Sequence, residues 1–265
     1  MSPWDHPQAA VHYEAFCGCH SRYLEANAAL VAHAQIGPEM SLLDVAAGTG
    51  RTAEATLPLL GKDGRVLCME PSATMRLAGM RRLTDKRVAW SADLPNAPDG
   101  FDRIVCGAAI WQLRPIAEAL VRLARLLRSG GALCFNIPAL YLREPDESGG
   151  GSDPSLLSLP ALLHTMSQER RTQEPDTSEA PAPLSHGAIE AQLRAAGLRA
   201  DSWRFRVRMT QEAYAAWLKI PAAAAGLLGG LSPDQRAQRI SSALDLVDRS
   251  SWKWERWCGW TAWKH

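Results

Sequence analysis

The sequence predicts an α/β protein built on an open, doubly wound sheet with helical additions. Three observations predict it. Leu42, Leu43 and Val45 make the short apolar run of a buried parallel strand, and Gly48 and Gly50 follow at once. Arg65 to Met69 is a second such run, ending in Glu70, 20 residues beyond Gly50. Strand-like and helix-like stretches then alternate to about residue 140, which is the pattern of a sheet covered by helices on both faces.

Taken in order, residues 7–34 read as a helix interrupted near Gly18, and the doubly wound core runs over 41–140. Within it, residues 51–60 are helix-like with no breaker before Pro58. A third strand is expected around Val88 to Asp93, and Leu94 to Gly100 is a dense run of turn formers. A strand over 101–107 leads to a helix over 114–128, with Gly130 and Gly131 read as its stop, and then to a strand over 132–137. Residues 143–186 break the rhythm, because Pro, Ser, Gly, Glu and Asp surround one apolar helix candidate at 156–166. The segment is too long for a simple connector and is expected to be a lid or a disordered insertion, with composition favouring disorder at 168–184. Residues 211–249 are helical in pattern, with Ser232, Pro233 and Asp234 opening the last helix.

The turn after the first strand is where such proteins seat a nucleotide-like ligand. Small residues there let the backbone approach the ligand, and the first amides of the following helix point toward it. Gly48, Gly50 and Ala53 satisfy a dinucleotide fingerprint, yet the same residues suit a smaller adenosine-bearing cofactor without a pyrophosphate. Glu70, at the end of the second strand, can accept two ribose hydroxyls in either case.

The stretch Leu43-Asp44-Val45-Ala46-Ala47-Gly48-Thr49-Gly50, with Glu70-Pro71-Ser72 and Met75, and with Phe101-Asp102-Arg103-Ile104-Val105, resembles three ordered motifs of the class I S-adenosylmethionine-dependent methyltransferases. The resemblance runs through most of the chain. It implies a Rossmann-like sheet of seven strands, with a sixth near 198–209 and an antiparallel seventh near 257–264, plus helical cap and lid elements. It implies S-adenosylmethionine as cofactor, with Asp44 and the backbone around Gly48 facing the methionine portion. Glu70 would hold the ribose, and the residues after Met69 would flank the adenine. The implied cofactor site comprises Asp44, Ala46, Gly48, Gly50, Glu70, Pro71, Met75, Ser91, Ala92, Asp93 and Gly107. Ala46 departs from the family, which commonly has glycine there, and is expected to narrow the pocket slightly. Asp93 is the expected partner of the adenine amino group, with Ser91 nearer the usual position. Its alternative role is to cap the turn.

The reaction belongs at the ends of the fourth and fifth strands, where Trp111 and Asn136 lie in apolar loops. Methyl transfer is an in-line displacement, so positioning and exclusion of water matter more than an acid or base. His12 and Tyr13 on the N-terminal helix are candidates where a base is needed, or else present a polar helix face. Asn136, a polar amide at a buried strand end, needs partners and is expected to orient an amine. If that were the cofactor's own α-amine, attack on its γ-carbon would give azetidine-2-carboxylate and methylthioadenosine, as in azetidine-forming cyclases that resemble the family. Methyl transfer to a small molecule of specialised metabolism is the leading expectation, and a non-catalytic cofactor-binding subunit the last.

Composition bounds the rest. The 265 residues are 46% hydrophobic and 22% charged, ordinary for a globular protein, and a net charge of +1 gives no electrostatic footprint for nucleic acid. No apolar run is long enough to span a bilayer and the N-terminus lacks signal-peptide regions, so a cytoplasmic protein with no membrane partner is expected. Of six cysteines, Cys68, Cys106 and Cys134 fall in strands as apolar filler, and Cys17-Gly18-Cys19-His20 has no second cluster to complete a zinc site, so no metal is expected. Of ten tryptophans, Trp252, Trp254, Trp257, Trp260 and Trp263 crowd the last segment. They are expected to pack far from the carboxyl ends of the central strands, with a bulge or turn near Gly259.

Overall fold

The structure is a computed structural model, and it describes residues 2–96, 98, 100–142, 159, 163, 184–228, 231–249 and 251–265. The chain divides into two compact units. The larger comprises Ser21–Pro145, Pro183–Val207 and Arg256–His265, and the smaller Met1–His20, Asp146–Ala182 and Arg208–Glu255.

The larger unit is organised by the sheet. Strands β1 (Ser41–Val45), β2 (Arg65–Met69), β3 (Val88–Ser91), β4 (Phe101–Cys106), β5 (Leu127–Pro138), β6 (Leu198–Thr210) and β7 (Trp252–Lys264) lie in the order β3-β2-β1-β4-β5-β7-β6. The first five are parallel, and β7 runs antiparallel to β5. This is the seven-stranded sheet with an antiparallel last strand that the sequence resemblance implied. Strand order reverses between β1 and β4, and that switch point opens a crevice at the carboxyl edge. Helices α1 (Ala9–Cys19) and α2 (Arg22–Ala34) precede β1, and α3 (Arg51–Thr56), α4 (Ala73–Arg82), α5 (Ile116–Leu126) and α6 (His186–Ala195) connect the strands.

Burial explains the strand assignments. Leu42, Leu43, Val45, Ile104, Val105, Leu133, Cys134, Phe135 and Ile137 are all fully buried, because central parallel strands are covered on both faces. Burial pushes the Cys68 and Cys106 thiols well up, so they stay protonated and serve as filler.

Several expectations are corrected. The helix after the first turn ends at Thr56 and tightens into a 3-10 turn, Leu57–Leu59, around Pro58. Helix α5 ends at Leu126, and Gly130 and Gly131 belong instead to an excursion within β5, where the register with β4 shifts opposite Asp102. Gly130 has φ +74°, and a Cβ on Gly131 would stand 2.9 Å from the Arg128 carbonyl oxygen. The final segment is not remote from the carboxyl edge. Because β7 is antiparallel, its early residues reach that edge, and Trp257 pairs with Pro138. No bulge interrupts β7 at Gly259, which pairs in regular register with Asn136. Glycine is there because the Trp203 indole lies where its Cβ would be, stacked on its other side with His33 at 4.1 Å between ring centroids.

The smaller unit is helical. It contains α1, α7 (Gln211–Trp217), α8 (Pro221–Leu228) and α9 (Pro233–Leu244), with α7 packed on both α1 and α9. Ser232 caps α9 in a reciprocal box with Gln235, the start that Ser-Pro-Asp foretold. Most of the expected lid at 143–186 lies outside the described residues. From its helix candidate, Leu159 and Leu163 are helical and buried, and the Leu159 amide donates to Gln211 Oε1.

Gly259→Ala is expected to displace the Trp203 indole and cost about 1–3 kcal/mol, the usual range for overpacking. Urea unfolding would show it as a lower midpoint, and an unchanged midpoint would refute this account of the glycine.

Candidate functional site

The site is built on the turn from β1 into α3. Beyond Val45 the ladder continues for one bond, from the Ala47 amide to the Met69 carbonyl at 3.0 Å. The chain then reverses using left-handed backbone at Ala46 (φ +53°), Gly48 (φ +58°) and Gly50 (φ +80°). Gly50 donates to the Ala47 carbonyl at 2.8 Å, which closes the turn. Two of these positions have glycine because an L side chain is strained there. Ala46 accepts the same conformation with a Cβ, at a conformational cost that glycine would not carry.

Two carboxylates hold the turn. Asp44 Oδ2 accepts from the Ala53 amide at 3.0 Å, across the mouth of α3. Its Oδ1 is buried and has no partner among the described residues. Burial, with Glu70 adding repulsion and the Ala53 hydrogen bond opposing, pushes the Asp44 carboxyl up to about 8. Glu70 accepts from the Gly48 amide through Oε2 and from the Ser72 amide through Oε1, each at 2.8 Å. It thereby ties the first turn to the start of α4, where Ser72 caps the Met75 amide. Met75 is buried, and its Cε would lie 3.6 Å from a Cβ on Gly48.

Helix α4 staples this arrangement at both ends. At its start, Arg76 Nη1 donates to the Glu70 carbonyl at 2.6 Å and to the Pro71 carbonyl at 3.2 Å. At its end, Arg82 donates to the buried Thr49 carbonyl through Nε at 3.2 Å and Nη2 at 2.9 Å, and pairs with Glu54 at 2.7 Å. A guanidinium fork on a single carbonyl fixes the peptide plane between Thr49 and Gly50. The Trp90 ring fills the space between Gly50 and Gly79. Sequence reasoning missed Arg82 and Trp90, because neither lies in a motif and each reaches the first turn from far along the chain, Arg82 to Thr49 across 33 residues and Trp90 to Gly50 across 40.

At the end of β3, Ser91 Oγ donates to the Asp93 carbonyl at 2.8 Å and accepts from the Asp93 amide at 3.1 Å. Ser91 and Ala92 are half-buried, and Asp93 is exposed at a bend. The turn-capping geometry is thus present at this pair, made by the Ser91 hydroxyl.

On the β4 side, Gly107 faces a buried pair in which Thr52 Oγ1 donates to Asn27 Oδ1 at 3.1 Å. A Cβ on Gly107 would stand 2.5 Å from that hydroxyl oxygen and 2.9 Å from the amide oxygen, so the Thr52 and Asn27 pair requires glycine there. Asn136 spends its amide on the scaffold. Its Oδ1 accepts from the amide of Ala108 (φ +52°) and its Nδ2 donates to the Ala26 carbonyl, both at 2.8 Å. It joins β5, the β4 loop and α2, which is a different task from orienting an amine. Trp111 stacks on Tyr141 with centroids 4.4 Å apart. His12 and Tyr13 are part of the smaller unit, where His12 Nε2 pairs with Gln8 Oε1 at 3.1 Å and Tyr13 meets Trp4 edge-on. Desolvation, with Lys219 and His6 adding repulsion, lowers the His12 pKa.

A methyltransferase domain family model matches residues 43–133, from the middle of β1 to the middle of β5. That match places the likeness to methyltransferases in the sheet-forming core around the first turn. Over 110 residues the chain is 34% identical to the ubiquinone/menaquinone biosynthesis C-methyltransferase UbiE of Coxiella burnetii. That alignment covers 37% of this chain and 44% of the relative, so the chain spans less than half the length of the curated relative it matches. Among solved structures, the YcgJ protein of Bacillus subtilis has a TM-score of 0.58 at 16% identity, covering 91% of this chain and 99% of its own. The [4+2]-cyclase SpnF has a TM-score of 0.55 at 15% identity, covering 89% of this chain and 79% of its own. These likenesses show a shared fold. Among the described residues, no helix is long and apolar enough to cross a membrane.

Two outcomes are expected of the turn. A carboxyl whose folded pKa is about 8, against 3.8 unfolded, binds a proton in the folded state that the unfolded state releases, so stability falls as pH rises between those values. Urea unfolding at pH 5 and pH 8 without added ligand should show that loss in the wild type and a smaller one in Asp44→Asn; equal slopes would contradict a neutral Asp44. Ala46→Gly should raise stability by about 1 kcal/mol by relieving left-handed strain, read as a higher thermal midpoint, and a lower midpoint would show that the alanine methyl packs usefully.

Proposed function

We propose that the turn at the β1 end binds S-adenosylmethionine and that this chain transfers its methyl group to a small-molecule acceptor. One observation carries the reading: Asp44, at the end of β1 before a turn of small residues, has a buried oxygen without a partner among the described residues, and a second carboxylate, Glu70, is anchored to the same turn. Bound S-adenosylmethionine supplies an electrophilic methyl on a sulfonium and, near it, an ammonium group. Asp44 Oδ1 would gain a donor from that ammonium, and the nearby cation would draw the Asp44 proton off. Glu70, oriented by the Gly48 and Ser72 amides, would take the ribose hydroxyls. Met75, Pro71 and the half-buried Ser91 and Ala92 would flank the adenine, with Asp93 at the rim. No pyrophosphate has to be neutralised in this fit, and the Glu70 carboxylate has the wrong charge for one.

The chain's own contribution to the chemistry is positional. The glycine turn, clamped by Arg82, would hold the cofactor rigidly enough for an in-line approach from the β4 and β5 ends. Intramolecular cyclisation of the cofactor loses its main support, since the Asn136 amide already binds Ala108 and Ala26. A place in specialised metabolism remains part of the proposal, because the matched relative acts in quinone biosynthesis and shares only the core.

The decisive experiment incubates purified protein with S-adenosylmethionine, with and without candidate acceptors, and quantifies S-adenosylhomocysteine and methylthioadenosine by mass spectrometry. S-adenosylhomocysteine is expected only with an acceptor, and Glu70→Ala should reduce it by roughly tenfold or more, the loss of at least one charge-assisted hydrogen bond. Methylthioadenosine with azetidine-2-carboxylate from the cofactor alone would overturn methyl transfer.

A further inference from the structure

The connection from β3 to β4 is tied to α5 at two places. Arg122 Nη2 donates to the Leu94 carbonyl at 3.2 Å, and the Gly100 amide donates to the Leu126 carbonyl at 3.0 Å. Between these ties lies a cavity of about 680 Å³. That volume is in the range of clefts that take small molecules. Pro95 and Pro98 line its loop side, and Ala117, Val121, Arg122 and Arg125 line its helix side. The buried face of α5 is made by Ile116, Leu120, Leu123, Ala124 and Leu126, so Ala117 and Val121 are apolar where burial in the core does not require it. Arg122 and Arg125, three residues apart, share one face of the helix. Arg122 makes its bond to Leu94, and Arg125 has no hydrogen bond or ion pair among the described residues. Among the described lining residues the one acid is Glu118, two turns before Arg125 and about 10 Å from it along the helix axis.

From this geometry we infer that the cavity is a second small-molecule site, which takes an apolar body carrying an oxyanion, a carboxylate or a phosphate, at its Arg122 and Arg125 end. None of its lining residues is among those proposed to hold the cofactor, so this site is independent of the methyl-transfer reading. The apolar body would cover Val121, Ala117 and the two proline rings, and removing that surface from water is favourable. The oxyanion would meet two guanidinium groups, whose forked donors match carboxylate and phosphate geometry. Both keep donors for it, since Arg122 uses Nη2 alone on Leu94. A cationic ligand would face two like charges there, and a neutral one would leave both without a counter-charge. The helix dipole favours a cation in the last turn of α5, which accounts for Arg125. It does not account for Arg122, a turn earlier on the same face and beside the same cavity. Glu118 gives the site a direction, because it repels an anion from the opposite end.

The test uses the full chain, with 1-naphthoate and 1-naphthyl phosphate as anionic probes and 1-naphthalenemethanol as a neutral one, each titrated by calorimetry. The better anion is expected to bind roughly tenfold more tightly than the neutral probe, the weight of one charge-assisted contact. Preference for either anion supports the inference and names the head group. Arg125→Gln should raise the Kd of that anion by roughly tenfold, and the exposed position of Arg125 leaves the fold intact. Glu118→Gln should lower the same Kd by roughly twofold, since a carboxylate about 10 Å away repels the bound anion through a water-like dielectric. Opposite shifts from two residues of one helix face are not what a loss of packing would give. Equal affinity for the neutral and anionic probes overturns the inference. So do the failure of all three to bind, an affinity indifferent to Arg125→Gln, and displacement of the bound probe by S-adenosylmethionine.

Discussion

The carboxyl edge depends on two buried carboxylates bonded to backbone amides. Asp44 closes the start of α3 through Ala53, and Glu70 joins the first turn to the start of α4 through Gly48 and Ser72. These bonds set the path of the chain where a flexible glycine turn would otherwise sample many conformations. They also bring two carboxyl groups together at one point of the edge. Keeping Asp44 protonated near neutral pH is the physical consequence, and a cationic ligand is the natural remedy.

Rigid support comes from elements far away in sequence. Arg82 and Trp90 brace the turn from α4 and β3, and α2 braces the other side through Asn27, Thr52 and Asn136. Arg103 extends this bracing, since its guanidinium donates to the Ala34 and Gln35 carbonyls at the end of α2 and lies over the Trp263 ring. Arg82, Arg103 and Asn136 bond main-chain groups and Thr52 bonds Asn27, so buried polar side chains hold helices to the sheet, while Trp90 braces by its ring and its Nε1 has no partner among the described residues. The same layer explains Gly107, whose missing side chain makes room for the Asn27 and Thr52 pair.

The legible parts of the sequence were those in which a local pattern carries the physics. Apolar runs marked β1, β2, β4 and β5 because parallel strands are buried on both faces. Gly48 and Gly50 marked the turn because left-handed backbone favours glycine, and Ser232 marked the start of α9 because its hydroxyl caps a nearby amide. Glycines also misled. Gly130 and Gly131 resemble a helix stop and Gly259 resembles a bulge, yet one pair serves a strand excursion and the other residue makes room for an indole from β6.

By itself, the sequence determined the order of strands and helices, the cofactor-type turn and the two carboxylates beside it, because periodicity and short motifs are properties of neighbouring residues. Tertiary structure decided which polar residues act on the scaffold. Asn136 looked available for a ligand until α2 and the β4 loop were seen to use both ends of its amide. It also decided the two characters of the carboxyl edge, carboxyl groups on one side and an aromatic stack on the other. Trp111 and Tyr141 are 30 residues apart, and only the pairing of β4 with β5 brings their rings into contact.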